Sequence, residues 1–150
     1  PVKMAATGTI VVAGAGGAIM GSLNGVFYTD ASTSKPTWAN HLNASNTATD
    51  IVGFVSDDPY ERFEIQSNNS GASNVNDVFA VADLVYAAGS SPDYVSGVEL
   101  DDSTLANGSS ATLQILGLSR DPDNSDVDSA NVNWIVRINE HELDMNVNGV

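Results

Sequence analysis

An all-β fold is what this sequence predicts: a single compact β-barrel or β-sandwich of about eight short strands. Three observations carry that expectation. Segments rich in β-branched and aromatic residues recur along the chain, at the roughly ten-residue spacing of small sandwiches and barrels. Each is bounded by Gly, Asn, Asp, Ser or Pro, residues that tolerate or impose turn dihedrals. Nowhere do apolar residues keep the helical period between caps that a long amphipathic helix requires.

The series begins at Thr9 to Val12 and is followed by a Gly-rich turn at Gly14, Gly16 and Gly17. Ala18 to Met20 and Val26 to Thr29 flank Asn24-Gly25, a dipeptide that favours two-residue hairpin turns. Asp30 to Asn40 reads as a polar loop holding Lys35, Pro36 and Trp38. Ile51 to Ser56 has the continuous apolar character of a buried strand, and Asp57-Asp58-Pro59 then turns the chain. From Arg62 to Gln66 the pattern alternates, with Phe63 and Ile65 on one face. Gln66 to Asn76 is an Asn/Ser/Gly loop. Val78 to Tyr86 is apolar at most positions, and its Val and Phe content favours one strand over a short helix. Gly89-Ser90-Ser91-Pro92 ends that segment. Ala111 to Leu118 and Asn133 to Leu143 are the clearest strands, with Trp134, Val136 and Ile138 alternating against Ile135, Arg137 and Asn139. Residues 21–150 are therefore expected to make one β domain. Residues 1–20, small and Gly/Ala-rich, are either its first strands or an extended arm laid on a partner.

Charge narrows the function classes. Five Lys and Arg face nineteen Asp and Glu in 150 residues, a formal net charge of −14. Phosphate backbones are bound by clustered Lys and Arg, so no nucleic-acid partner is expected, and an anionic membrane surface is disfavoured for the same reason. An acidic surface maintains solubility and suits a basic protein face. No stretch approaches the roughly twenty apolar residues of a membrane span. There is no cysteine, which removes disulfides and thiolate metal sites. Lys3 precedes no apolar core of a signal peptide, and an opening Pro1 reads as a processed start, so synthesis in a cytoplasm without general secretory export is expected.

Each candidate site has a plainer reading beside it. Gly14-Ala15-Gly16-Gly17 follows a strand-like segment, but Ile19 stands where a dinucleotide-binding turn needs its third Gly or Ala. Asp121, Asp123, Asp126 and Asp128 crowd one loop with Asn124, an oxygen-rich set that is the first place to look for a cation such as Ca²⁺. The EF-hand spacing fails there, and an exposed acidic loop is the default. Asp57-Asp58 and Asp101-Asp102 are adjacent pairs, which on a strand point to opposite faces and are poorly placed to cooperate as acid and base. His141 lies in Asn139-Glu140-His141-Glu142-Leu143, without the second His of a zinc-protease helix, and His41 is the only other histidine. No Ser sits in a Gly-x-Ser-x-Gly elbow. The sequons at Asn43, Asn68 and Asn107 matter only in a secreted eukaryotic protein. An enzyme is not expected, nor is a cofactor or a bound metal.

Several passages in fixed order carry a family resemblance: Gly53-Phe54-Val55-Ser56-Asp57-Asp58-Pro59, Phe63-Glu64-Ile65-Gln66, Glu99-Leu100-Asp101-Asp102-Ser103, Leu113-Gln114-Ile115-Leu116-Gly117-Leu118 with Arg120-Asp121-Pro122-Asp123-Asn124, and Ile138-Asn139-Glu140-His141-Glu142-Leu143. Together they resemble the head decoration, or cement, proteins of tailed bacteriophages over roughly residues 48–143. The resemblance implies a non-enzymatic virion protein on the outer surface of the capsid, often a homotrimer, that bridges major capsid protein subunits against internal DNA pressure. Such a role needs repeated buried area and no chemistry, and Trp38 and Tyr60 are the candidate partner contacts because exposed aromatics anchor interfaces. The alternative is an adhesive or carbohydrate-binding β domain of a phage head fibre or surface protein, with Trp38, Tyr60, Tyr86 and Tyr94 as platforms.

Overall fold

The computed structural model describes residues 1–68, 73–90, 92, 94–108, 110–123, 126–128 and 131–144. The fold is nearly all β, sandwich-like and not a closed barrel. Among the described residues, strands β1 (Val2–Met4), β2 (Ile10–Val12), β3 (Ser22–Thr29), β4 (Pro36–Ala39), β5 (Val52–Ser56), β6 (Phe63–Gln66), β7 (Val81–Ala82), β8 (Leu84–Ala87), β9 (Gly97–Leu100), β10 (Leu113–Leu118) and β11 (Asn133–Ile138) follow one another with two short 3₁₀ turns. They pair as a β6-β11-β10-β7 sheet, a β4-β3-β5 sheet and the hairpins β1-β2 and β8-β9.

The core lies on one face of the four-stranded sheet. In β11 the two-residue period of a strand puts Trp134, Val136 and Ile138 inside, and β10 adds Leu113 and Ile115 before a bulge at Leu116 shifts its register. Leu84 and Leu100 of the β8-β9 hairpin close over them, with Val132, Ala13 and Ile19. Trp134, Ile115 and Leu100 are completely buried, and full burial of side chains of this size contributes about 1.5–3 kcal/mol each. Residues 1–20 hold the β1-β2 hairpin, and Val2, Ala13 and Ile19 within them are buried. Ile19 also bridges in parallel to His141, its N–H donating to the Glu140 carbonyl at 2.9 Å and its carbonyl accepting from Glu142 N–H at 3.0 Å.

Four local expectations give way to the structure. Asn24-Gly25 is not a hairpin turn: it lies inside β3, at a bulge between Leu23 and Gly25 in the pairing with β5. The polar loop over Asp30 to Asn40 is shorter than expected, because Pro36–Ala39 forms β4 and Pro36 sits at its first position, where its missing N–H is tolerated. The single strand over Val78 to Tyr86 is broken into β7 and β8, with Phe79 at a left-handed φ of 73° and Asp83 between the two strands. The last strand stops at Ile138, where Asn139 and Glu140 turn back toward Thr112.

Candidate functional site

The β4-β3-β5 sheet has two dissimilar faces, and register dictates both. Leu23 pairs with Val55 and Val26 with Gly53 and Ala39, so these residues share the inner face. The Ile10 side chain of β2 packs onto Gly53, so that a Cβ there would force the end of Ile10 to shift. Beneath this face a cleft of 880 Å³ opens toward the N-terminal hairpin and β8-β9, lined by Ile10, Leu23, Val26, Tyr86 and Val98 among others.

The opposite face is aromatic and open. Phe27 pairs with Trp38 on one side and Val52 on the other, and Gly25 pairs with Phe54. Side chains directly opposite in an antiparallel pair lie on one face, so Phe27, Trp38, Val52 and Phe54 stand together. Their exposures are 42%, 56%, 53% and 46%, high for adjacent large apolar groups. Trp38 leans across β3 to meet Phe54, with ring centroids 4.8 Å apart and planes inclined by 56°, within the favoured range for aromatic pairs. It can do so because position 25 has no side chain: a Cβ on Gly25 would sit 2.5 Å from Trp38 Cζ2. The glycine thus acts as a seat for the indole, and the aromatic pair is fixed before any partner arrives.

Negative charge stands at the ends of this sheet. Beyond β3, the Asp30 carboxylate accepts from the Ser32 and Thr33 hydroxyls at 2.7 and 2.9 Å and from their backbone N–H groups at 3.0 and 2.8 Å. The Ser32 hydroxyl, then the Thr33 N–H and hydroxyl, hold its pKa down to about 2. Asp50 accepts from the Thr29 N–H with both carboxylate oxygens, and hydrogen bonding from the Thr29 side chain and then its backbone lowers its pKa as well. After β5, Asp57 and Asp58 begin the turn in which Asp58 Oδ1 accepts from Tyr60 N–H at 2.8 Å.

Of the two partner contacts expected from sequence, Trp38 lies on the aromatic face. Tyr60 is on the turn after β5, 81% exposed. The other members of the face, Phe27, Val52 and Phe54, escape a sequence reading that takes Ile51 to Ser56 as buried on both sides. Their signal is apolar character at both parities of β3 and β5, together with a glycine inside a strand, which marks close approach of another group.

The four loop aspartates are all exposed and fold onto their own backbone. Asp121 Oδ1 accepts from Asp123 N–H at 3.1 Å and Asp126 Oδ1 from Asp128 N–H at 3.2 Å, while Asn124 falls outside the described residues. Among the described residues no three His, Cys, Asp or Glu converge as ligands for a metal. His41 stacks on Tyr94 at 3.7 Å, and His141 is buried with Nδ1 accepting from Leu143 N–H at 3.0 Å. Asp101 and Asp102 also part company. Asp101 Oδ1 caps the 3₁₀ turn Asp102–Thr104 through Ser103 N–H at 3.0 Å, whereas Asp102 is 6% exposed with Oδ1 unpartnered.

No known protein family, curated protein or solved structure matches the chain.

Proposed function

We propose that this chain is a non-enzymatic structural protein of a tailed-phage virion, decorating the outer surface of the capsid and bridging major capsid protein subunits, as a homotrimer. The observation that carries the reading is the aromatic face of β4-β3-β5, where four large apolar side chains stand together and open, with Trp38 packed on Phe54. An exposed, rigid aromatic cluster supports docking to a protein surface, because such groups supply much contact area with little ordering entropy to lose. The strongly acidic balance fits a position on a capsid exterior, away from packaged DNA. The ordered passages from Gly53 to Leu143 that resemble cement proteins supply the virion context.

A second reading, an adhesive or carbohydrate-binding domain, draws on the open Trp38 ring and on Tyr60. It is the weaker of the two because Phe27, Val52 and Phe54 bring no hydrogen-bonding groups to meet sugar hydroxyls. Light scattering of the purified protein, followed by co-sedimentation with undecorated phage heads, separates the two. A trimer that saturates heads at fixed stoichiometry is expected; a monomer that ignores heads but binds on a glycan array would replace cement with adhesion.

A further inference from the structure

We infer that the aromatic face of β4-β3-β5 docks onto a different protein chain whose contact surface is an apolar patch rimmed by Lys and Arg. This rests on the decoration reading, under which that chain is the major capsid protein. Two properties of the face select such an occupant. The first is apolar area: Trp38, laid over Gly25 and against Phe54, joins Phe27 and Val52 in one exposed apolar face that calls for an apolar partner surface. The second is charge. Residues 30–62, which hold β4, β5 and their turns, carry Asp30, Asp50, Asp57, Asp58 and Glu61 against only Lys35 and Arg62. Hydrogen bonds to the Asp30 and Asp50 carboxylates favour their ionised forms.

A second copy of this chain is the natural competitor for the face, and electrostatics disfavours it. An isologous contact places the same patch on itself, so one acidic rim would be brought against another, in molecules that each carry −14 overall. Like charges brought together at a rim oppose binding, whereas opposite charges both speed encounter and fix register. Any trimer contact is accordingly expected elsewhere on the molecule, leaving this face for the bridge to the capsid.

The test uses the full chain and undecorated heads. Affinity is measured by co-sedimentation at low and high salt for the wild type, for Trp38→Ala, for Gly25→Ala, which unseats the indole without removing it, and for the pair Asp57→Asn with Glu61→Gln. Circular dichroism and light scattering of each variant confirm fold and oligomeric state. Wild-type binding should weaken at least about tenfold from low to high salt, and Trp38→Ala should weaken it about thirtyfold or more, the scale of an interface hot spot. Gly25→Ala should follow Trp38→Ala in direction, and the neutralised pair should show a shallower salt dependence. If the wild type binds heads while Trp38→Ala binds as tightly, the docking face is misassigned and the decoration reading stands. A wild type that ignores heads removes both. If Trp38→Ala instead changes the oligomeric state, the face is a self-contact and the inference fails.

Discussion

Replacing Asp102 with asparagine should stabilise the protein at neutral pH, and the gain should shrink as the solution is acidified. Asp102 is 6% exposed and its Oδ1 has no hydrogen-bond partner, so burial pushes its pKa up; the Ser73 and Ser67 hydroxyls pull the other way, and the Asp101 and Asp77 carboxylates add a further upward push. With the folded-state value above the unfolded one, the native protein holds this proton through a window in which the unfolded chain has released it. Stability is therefore greatest below the ordinary carboxylate range and falls as pH rises through the folded value. The amide cannot ionise and removes that loss. A buried acceptor left unsatisfied costs about 1–3 kcal/mol, and the new amide must itself be accommodated, so a gain of about 1 kcal/mol at pH 7 is expected for Asp102→Asn. Asp101→Ala, one residue earlier, should lose about 1 kcal/mol, because it deletes a cap instead of a buried charge. Urea unfolding of the wild type and both variants at pH 7 and pH 4 gives the three stabilities directly. An Asp102→Asn protein that is less stable at pH 7, or whose advantage is unchanged at pH 4, would refute the reasoning.

Three other outcomes follow from particular contacts. Gly21→Ala should destabilise the protein by about 2 kcal/mol or more, as seen in thermal unfolding, because its Cβ would collide with the Ser56 backbone carbonyl and strain would spread into the bridge to Val2. Tryptophan fluorescence should resolve into two populations, a quenchable one from Trp38 and a protected, blue-shifted one from the fully buried Trp134; Trp38→Phe should abolish acrylamide quenching and leave the protected signal. In NMR the side-chain carboxyl of Asp30 should titrate at about 2, well below the usual carboxylate range, and Ser32→Ala should raise it. For this depressed group the stabilising contribution is present above the unfolded carboxylate value and disappears as pH falls toward 2.

The fold class was legible because strands announce themselves by local chemistry. The alternation in Asn133–Ile138 maps onto buried and half-buried faces, and that in Phe63–Gln66 onto half-buried and exposed ones. What was not legible depended on contacts between distant segments. Asn24-Gly25 has the composition of a turn, yet the glycine is there for an indole thirteen positions away, and no local rule contains that information. The aromatic face was visible only as Trp38, since Phe27 and Phe54 join it through registers that sequence cannot state. Asp102 likewise looked interchangeable with Asp101 until packing buried one and left the other at a cap.

The clasp at Ile19 has a consequence for when the molecule can become whole. Ile19 is gripped between Glu140 and Glu142, and Glu142 Oε2 also accepts from Met4 N–H at 2.8 Å across 138 positions of sequence. A chain emerging from the ribosome makes its first hairpin early and must leave it undocked until nearly every later strand has been synthesised. Pairings of such long range also slow folding, since a large loop must close before they form. Docking of the hairpin thus waits until β11 and the Glu140–Glu142 segment after it have been made, which keeps a half-made domain from presenting a finished surface.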